Sequence, residues 1–499
     1  MSTWREYHES TKHSAESLSR TQHLLDWGNM PNPFRHYEGV PVLDLPADPP
    51  TPDIPALELL QGAHGTTLAA DGPAFLSQLL FHSAAISASK RVPSTGYQYA
   101  LRVNPSSGNL HPTEFHFLTR GLKQWPDGLY HYRPSSHMAE QRATGDLAMK
   151  RAGSCAPIVF VLTSIVWREA WKYRDRAYRY CLHDIGHAWQ ALALAARAAG
   201  CDSFAIGHFP DREPAQCCRL NQDEWPMLLI EIRSAKRYGR SIPVRDPDGG
   251  ETVWFGGCAN QLSNRQVTYA PIDDVHAATK LKGSECSGIS AADPALTGSG
   301  DIKLPSPASS TRAFGEVART RRSALDFRGG TGSMSLAQLS AILAVAAQPF
   351  SADFAGTPFI QLYLYAHRVH GLEPGVYRYW PEHAELEQIR SGDQRVAAAG
   401  LSLGQDLAGN ACVAFSMVAG LDRAVRSHGD RGYRYVHFEA GAIGQRLYLA
   451  AEALGLGATG IGAFFDDEVH RYLDIGPGQG QVVYHFAIGY PVPDSRIVA

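Results

Sequence analysis

The chain has few cysteines and no long apolar run, and these absences exclude several classes of protein. Its eight cysteines are too few for a disulfide scaffold and include no CxxC pair of the kind found in zinc sites. His183 and His187 are four residues apart, but no third ligand accompanies them, so we expect no metal site. The longest apolar run, 156–165, is too short to cross a bilayer and predicts a buried strand. The polar start, MSTWREYHESTKHS, lacks the apolar core of a signal peptide, which favours a cytoplasmic location.

The charge of the chain gives no indication of a macromolecular partner. The formal net charge is −3 and like charges are not clustered, so the sequence predicts no attraction for nucleic acid or for an anionic membrane. With 44% apolar and 19% charged residues, the composition is typical of a folded globular protein. A chain of 499 residues has room for two or three domains.

The most informative feature present is an internal repeat. Residues 175–200, DRAYRYCLHDIGHAWQALALAARAAG, recur at 430–455 as DRGYRYVHFEAGAIGQRLYLAAEALG, and 13 of the 26 aligned positions are identical. A period of about 250 residues is too long for a solenoid unit, so each copy should be a domain with its own core, as in a homodimer fused end to end. A site between the copies would then have two non-equivalent halves.

The predicted elements follow the same order in both copies. Gly-x-Tyr-x-Tyr strands occur at 128–132 and 375–379, and copy two has a helical apolar period at 336–343 before a strand at 359–365. These patterns predict an α+β fold with helices on both faces of a mostly antiparallel sheet. The long repeated helices are the expected interface between the copies.

Composition divides the chain into four parts. We predict an N-terminal wrapping segment at 1–59, copy one at 60–245, an extension with a Gly/Ser/Pro-rich linker at 246–311, and copy two at 312–499. The linker cannot bury enough apolar surface to order itself alone.

Two polar segments are candidates for ligand binding. The loop at 105–112, PSSGNLHP, offers hydroxyl groups and an amide at low steric cost, which suits the edge of a polar cofactor, although a simple turn before a strand is the alternative. Residues 319–322, RTRR, place three arginines just before a predicted helix. Guanidinium groups match phosphate and carbonyl oxygens, and a solvated basic stretch is the alternative. Arg496 adds a cation near the end of the chain.

PSSGNLHP, RRSALDF and GIGAF, in this order, resemble the signature of the nitroreductase-type flavoproteins. Copy one more narrowly resembles the SagB-type dehydrogenases, which oxidise thiazoline and oxazoline rings in modified peptides. The matching segments, YHESTKHS, PSSGNLHPTEF, WKYRDRAYRY and GGCANQLSNRQVTY, span most of residues 7–280. The resemblance implies two tandem FMN-dependent nitroreductase-like domains that form a pseudo-dimer within one chain.

In that family FMN lies between two subunits, which implies a site between the copies here. Residues 321–323 would hold the flavin pyrimidine edge or phosphate, residues 460–462 would present N–H groups to N5 and O4, and Arg496 would reach the phosphate. The family's second basic residue after RxS is Leu325 here, so phosphate binding would depend more on Arg496. The implied FMN-binding residues are Pro105, Ser106, Ser107, Asn109, Arg321, Arg322, Ser323, Gly460, Ile461, Gly462 and Arg496.

The reciprocal site lacks these features. Residues 354–359, FAGTPF, stand where copy two should have PSSGN, and copy one has no RRS opening before its first helix. One FMN per chain is therefore expected.

The catalytic pair of the SagB-type branch matches Lys172 and Tyr173, whereas the duplicate positions hold Ser427 and His428. Removal of a proton while hydride leaves for flavin N5 requires a base, and a partly buried lysine with a lowered pKa suits that role. Tyr173 would share the proton or position the substrate. The alternative is a lysine at a helix start with a tyrosine packed beneath it.

Arg179 and Arg434 of the repeated DRxYR motif occur in both copies, which favours a structural role. We predict ion pairs with Asp175 and Asp430.

The sequence predicts an FMN-dependent dehydrogenase that oxidises an azoline or a related C–N bond in a peptide or a carrier-bound intermediate, with O2 as electron acceptor. One alternative is a NAD(P)H-dependent reductase of nitro or quinone compounds, which would not need Lys172. A second is a flavin-free scaffold that presents a peptide to partner enzymes. Association into a further homodimer is left open.

Overall fold

A computed structural model describes residues 3–20, 24–147, 156–235, 241–247, 251–283, 297–330, 332–356, 358–476 and 478–498. The helices in these ranges are α1 (Thr3–Ser10), α2 (Ala15–Arg20), α3 (Ala56–Leu60), α4 (Gly72–Phe81), α5 (Val166–Tyr173), α6 (Ala177–Ala198), α7 (Arg212–Cys217), α8 (Ala270–Ala278), α9 (Phe314–Thr320), α10 (Leu336–Ala346), α11 (Arg395–Leu401), α12 (Asp406–Asn410), α13 (Leu421–His428), α14 (Gly432–Ala453) and α15 (Asp466–Tyr472).

The strands in the same ranges are β1 (Tyr37–Glu38), β2 (Val42–Asp44), β3 (Ile86–Arg91), β4 (Gln98–Arg102), β5 (Thr113–Thr119), β6 (Gly128–Arg133), β7 (Met138–Thr144), β8 (Ile158–Ser164), β9 (Cys201–Ile206), β10 (Trp225–Ser234), β11 (Val253–Trp254), β12 (Cys258–Ala259), β13 (Ile302–Lys303), β14 (Met334–Ser335), β15 (Ile360–Ala366), β16 (Val369–His370), β17 (Gly375–Trp380), β18 (Glu385–Ser391), β19 (Val413–Ala419), β20 (Gly457–Ile461), β21 (Gln481–Gly489) and β22 (Ile497–Val498).

Each copy is built on one large antiparallel sheet, and six strands of each sheet follow the same order. Among the described residues, the first sheet runs β11-β7-β6-β5-β8-β10-β9 with β2 also paired to β7, and the second runs β13-β18-β17-β15-β19-β21-β20. Every residue of β8 is buried, as the apolar run at 156–165 predicts. The α+β fold with a mostly antiparallel sheet in each copy is confirmed.

The two copies meet along the repeated helices. α6 and α14 cross so closely that a Cβ added to Gly186 would lie 2.1 Å from the carbonyl oxygen of Phe438, and one added to Gly441 would lie 2.1 Å from that of His183. Only glycine permits this backbone approach, and the two glycines occupy reciprocal positions around a pseudo-twofold axis. The predicted helix interface is therefore present.

Ion pairs of the first DRxYR motif cross from copy one to copy two. Asp466 at the start of α15 accepts from Arg176 at 3.0 Å and from Arg179 at 2.9 Å, and all three side chains are buried. Burial opposes ionisation of Asp466, but the two guanidinium groups outweigh it and lower its pKa to about 2. The predicted pairing of Arg179 with Asp175 is wrong, because the Arg179 guanidinium pairs with Asp466 of the other copy instead.

The second motif repeats this arrangement in the opposite direction. Asp211 of copy one accepts from Arg431 at 2.5 Å and from Arg434 at 2.8 Å. The predicted partner of Arg434, Asp430, is therefore also wrong. Each copy thus binds an aspartate of the other copy through two arginines of its motif. The structural role predicted for the motif is therefore to stabilise the interface between the copies.

The segments outside the copies pack onto them. In α1, the Tyr7 hydroxyl donates to the carbonyl oxygen of Asp175 at 2.6 Å. The described end of the predicted linker, 297–311, contains β13, which pairs with β18 at the edge of the second sheet. This pairing orders a segment whose composition could not order it alone. Residues 284–296 of that linker lie outside the described ranges. The exact division at 59, 245 and 311 stays a prediction.

Candidate active site between the two copies

A cavity of about 390 Å³ lies between the copies, within the range of roughly 300–1,000 Å³ that is usual for cofactor and ligand sites. Both copies contribute to its wall. The predicted site residues that line it are Pro105, Ser106, Ser107, Asn109, Tyr173, Arg321, Arg322, Ser323, Gly460, Ile461 and Gly462.

The copy-one side of the cavity is a strained loop. Gly108, Asn109 and His111 have φ angles of 59°, 60° and 50°, in the left-handed region that non-glycine residues rarely adopt. The loop is held by its own hydrogen bonds, since the His111 N–H donates to Ser106 Oγ at 2.8 Å and Asn109 Nδ2 donates to the carbonyl oxygen of Ala100 at 2.9 Å. A strained conformation fixed in this way is typical of ligand-binding loops.

Asp184 of α6 anchors the loop from below. Its carboxyl group accepts from the Ser107 N–H and from the Ser107 hydroxyl, both at 3.1 Å. Burial raises the pKa of Asp184 to about 7, although the hydrogen bonds from Ser106 and Ser107 oppose this rise. Sequence reasoning missed Asp184, and the signal that could have found it is the acidic residue at the duplicate position, Glu439.

Two buried arginines face the cavity with unused donors. Arg321 donates through Nε to the carbonyl oxygen of Val103 at 3.1 Å and through Nη2 to that of Arg102 at 3.2 Å. Among the described residues, Nη1 of Arg321 and both Nε and Nη1 of Arg102 have no hydrogen-bond partner. Burial lowers the pKa of each to about 10, so both are cations at neutral pH. Buried guanidinium donors without partners are suited to the oxygens of an anionic or carbonyl-bearing ligand.

Arg322 and Ser323, in contrast, make bonds within the protein. Arg322 Nη1 donates to the carbonyl oxygens of Arg319 and Arg321, and Nη2 donates to that of Ser87. The Ser323 hydroxyl lies 2.8 Å from the Tyr448 hydroxyl. These two residues therefore shape the wall of the cavity that Arg321 faces.

The copy-two floor of the cavity admits no side chain at two positions. A Cβ added to Gly460 would lie 2.0 Å from the Tyr484 hydroxyl oxygen, and one added to Gly462 would lie 2.3 Å from the ring of Tyr180. The Gly460 N–H donates to the Tyr448 hydroxyl at 2.9 Å, so it is not available to a ligand. Ile461 and Gly462 remain the candidates for the backbone contacts that the resemblance implies.

Lys172 and Tyr173 end α5 directly beside the loop. A Cβ added to Gly108 would lie 2.7 Å from the Tyr173 hydroxyl oxygen and 3.2 Å from Lys172 Nζ. Burial first, and then Glu169, raise the pKa of Tyr173 well above its usual range, so its hydroxyl keeps its proton at neutral pH. Tyr173 lines the cavity, whereas Lys172 reaches its edge at Gly108. The structure thus places both groups where they could act on a bound molecule.

Arg496 does not itself line the cavity, although it lies close enough to the lining residue Tyr99 to interact with it electrostatically. Its guanidinium group pairs with Asp494 through Nε at 2.7 Å and Nη2 at 2.8 Å. Lys90 of β3 pairs with the same carboxylate at 2.9 Å and lines the cavity. Sequence reasoning missed Lys90, because nothing near it in the chain marks a site and β22 brings it beside Asp494 from the far end of the sequence.

The family model for the nitroreductase family matches residues 83–232 and 318–490. The chain belongs to the nitroreductase family. The two matches also confirm the tandem duplication.

Two relatives and one solved structure show how far this membership extends. MJ1384 of Methanocaldococcus jannaschii, named as a nitroreductase, is 37% identical over 116 residues, which are 23% of this chain and 59% of that protein. The microcin B17-processing protein McbC of Escherichia coli is 28% identical over 148 residues, 26% of this chain and 53% of that protein. The chain therefore spans little more than half the length of either relative.

A crystal structure of a protein named as a nitroreductase, from Anabaena variabilis, matches over nearly the whole chain. It covers 99% of this chain and 100% of its own, with a TM-score of 0.79 and 27% identity. The arrangement of both copies is thus found in another member of the family. No helix in the described part of this protein is both long and apolar enough to cross a membrane.

In this nitroreductase-family protein the position reciprocal to the cavity is filled by protein side chains. At this reciprocal position, Gly207 of copy one corresponds to Gly462, and Tyr435 of copy two corresponds to Tyr180. The Phe354 ring stacks on Tyr435 with centroids 4.3 Å apart and lies 2.6 Å from a Cβ added to Gly207.

Phe354 and the neighbouring Asp353 together fill the reciprocal position, and we call these two residues the plug. The Asp353 carboxylate accepts from the Gly207 N–H at 2.8 Å and from the His208 N–H at 3.0 Å. Backbone donors equivalent to those of the open cavity are therefore already satisfied by a side chain.

Proposed function

We propose that this protein is an FMN-dependent dehydrogenase with one FMN per chain, and that it oxidises an azoline or a related C–N bond in a peptide or a carrier-bound intermediate. The observation that carries the proposal is the convergence at one cavity of Arg321 from copy two with the 105–112 loop, Lys172 and Tyr173 from copy one.

The cavity fits FMN in both shape and chemistry. Unpartnered donors of Arg321 and Arg102 suit the pyrimidine carbonyl oxygens or the phosphate group. Gly460 and Gly462 bring backbone without side chains to the cavity wall, and Lys90 adds a cation at the rim. When bound, FMN supplies an acceptor for a hydride from the substrate carbon.

The protein's own residues would then move the proton. The Lys172 amine would take a proton from the substrate as hydride leaves, while the Tyr173 hydroxyl, which keeps its proton, would donate a hydrogen bond that orients the substrate. Asp184 fixes the loop beside both groups. Reoxidation by O2 completes the proposed cycle.

The similarity to McbC, a protein named for processing microcin B17, supports a substrate carried on a peptide. The similarity to proteins named as nitroreductases favours a second candidate, a NAD(P)H-dependent reductase of nitro or quinone compounds. The second candidate would use the same cavity without a base, so Lys172 distinguishes the two.

Cofactor content tests the proposal before any substrate is known. We expect purified protein, reconstituted with FMN and freed of excess ligand, to show the flavin absorption spectrum with one FMN per chain, because Phe354 and Asp353 fill the reciprocal position. A ratio of two would contradict the plug. Colourless protein that cannot be reconstituted would contradict both enzyme functions and leave a flavin-free peptide scaffold.

Arg321→Ala is expected to weaken FMN binding by roughly 10- to 100-fold, because one charge-assisted hydrogen bond contributes about 1.5–3 kcal/mol. Fluorescence titration of the apoprotein with FMN measures this change. Arg319→Ala is the matched control, since Arg319 lies over the Phe81 ring with its guanidinium carbon 3.9 Å from the centroid and does not line the cavity. Equal losses in both variants would contradict the assignment.

A further inference from the structure

Tyr484 and His187 form a buried polar pair in the wall of the cavity, and the proposed mechanism does not use them. Both line the cavity, with exposed fractions of 7% and 2%. The Tyr484 hydroxyl oxygen lies 3.1 Å from His187 Nε2, which is its one hydrogen-bond partner among the described residues. Tyr484 belongs to β21 of copy two and His187 to α6 of copy one, so the pair joins the two halves of the site.

Comparison with the plugged half shows that the fold does not require this pair. A bulge falls at the same point of β10 and of β21, and the register beyond it places Leu228 where copy two has Tyr484. The repeated helices place Ala442 where copy one has His187. The polar pair at the open cavity is thus an apolar pair beside the plug. Burial of polar groups where apolar ones suffice calls for a functional explanation.

Gly460 provides the space for the Tyr484 hydroxyl. A Cβ added to Gly460 would lie 2.0 Å from the hydroxyl oxygen, so a side chain there would displace the hydroxyl group. The equivalent residue of β9 is Ala205, as the pairing of both strands with their neighbours shows. Beside the plug, where Leu228 carries no hydroxyl, the chain therefore has a methyl group. The lack of a side chain at Gly460 is related to the hydroxyl and is not a requirement of the fold.

The neighbours of Tyr484 fix both its ring and the direction of its hydroxyl hydrogen. The ring stacks on His183 with centroids 4.4 Å apart, and burial raises the pKa of Tyr484 well above its usual range, so the hydroxyl keeps its proton. Burial lowers the pKa of His187 to about 3, so its ring is neutral, and Nδ1 lies 3.4 Å from Gln445 Oε1. Because an amide oxygen only accepts, the ring hydrogen is on Nδ1, and Nε2 accepts from Tyr484. The hydroxyl oxygen therefore presents only lone pairs to the cavity.

We propose that the Tyr484 hydroxyl oxygen accepts a hydrogen bond from reduced FMN, and that His187 is a positioning residue that keeps this oxygen available as an acceptor. The reduced flavin ring system carries more N–H groups than the oxidised one, so a fixed acceptor stabilises the reduced form and raises the midpoint potential. A higher potential favours withdrawal of hydride from a substrate. The inference rests on the FMN binding of the proposed function and not on the identity of the substrate.

The midpoint potential of the bound flavin tests the inference without a substrate. FMN-reconstituted protein is reduced stepwise in the presence of a dye of known potential, and the absorbance of flavin and dye is followed. We expect Tyr484→Phe to lower the potential by about 30 mV, because loss of the acceptor should weaken the binding of reduced FMN about tenfold, and a tenfold change in a two-electron couple corresponds to about 30 mV. The affinity for oxidised FMN, measured by fluorescence titration, should stay at the parent value.

His187→Ala separates positioning from packing. Ala442, which is fully buried, shows that the framework accepts alanine at the equivalent position. The variant keeps the tyrosine hydroxyl but frees its hydrogen to turn toward the lone pairs of oxidised FMN, so the potential should fall here as well. Tyr435→Phe is the matched control, since it removes a buried hydroxyl beside the plug and should leave the potential unaltered.

Each failure has a separate meaning. An unchanged potential in Tyr484→Phe, or an equal fall in Tyr435→Phe, would overturn the inference while the proposed function stands. An unchanged potential in His187→Ala would overturn the positioning role of the histidine. Parent protein that binds no FMN would overturn the proposed function, and the inference with it.

Discussion

Lys172→Ala is expected to slow flavin reduction by a thiazoline-bearing peptide by roughly 10²- to 10⁴-fold, the usual contribution of a general base. The amine lies at the edge of the cavity, with Nζ 3.2 Å from a Cβ added to Gly108, and the duplicate position holds serine. FMN binding should be retained, because Arg321 lines the cavity and Lys172 does not. Anaerobic stopped-flow measurement of flavin bleaching gives the rate, and FMN titration gives the affinity.

The duplication supplies the control for this variant. Ser427→Ala changes the equivalent position of α13, beside the plugged reciprocal site, and should leave the reduction rate unaltered. An unimpaired Lys172→Ala variant, together with rapid NADPH consumption in the presence of a nitroaromatic compound, would support the reductase instead. Loss of FMN from Lys172→Ala would show that the lysine acts in cofactor binding.

The sequence predicts the fold well because the signals that determine it are local. The repeat at 175–200 and 430–455 is read directly from the chain, and it places the two long helices at the interface, where the structure has them. The loop at 105–112 is similarly visible, since its glycine, hydroxyl and proline residues are contiguous.

The details of the candidate site depend on contacts that no local pattern reveals. Asp466 and Asp211 bind arginines more than 200 positions away in the chain, in the opposite copy, whereas Asp175 and Asp430 are the acidic residues within the motif itself. Lys90 enters the site because the last strand pairs with β3. Tertiary contacts between the copies determine these ion-pair partners, so the opposite charge that is nearest in sequence does not predict them.

The crossed Arg-Asp-Arg clusters give a prediction that separates stability from cofactor binding. Asp466→Ala would leave two buried guanidinium groups without their carboxylate, which typically costs about 3–5 kcal/mol. Asp211→Ala should lower the free energy of unfolding by a similar amount, because Arg431 and Arg434 lose the same kind of partner. Urea unfolding of the apoproteins measures both changes.

The pH dependence of stability should follow from the same clusters. Because the folded-state pKa of Asp466 is lowered from 3.8 to about 2, its contribution is present at neutral pH and is lost as the pH falls from about 4 toward 2. The parent protein should therefore lose stability across that window more steeply than Asp466→Ala does. Parallel curves would contradict the ionised cluster.

Cofactor binding should distinguish the two aspartate variants, since each cluster also supports a different turn. Arg176 donates to the Gly462 carbonyl oxygen at 3.3 Å, beside the open cavity, and Arg431 donates to the Gly207 carbonyl oxygen at 2.7 Å, beside the plug. Release of Arg176 in Asp466→Ala should therefore weaken FMN binding, while Asp211→Ala should keep the parent affinity in fluorescence titrations. Equal weakening of FMN binding in both variants would mean that the clusters act through the global stability of the protein. The difference between the open cavity and the plug would then not extend to the turns at Gly462 and Gly207.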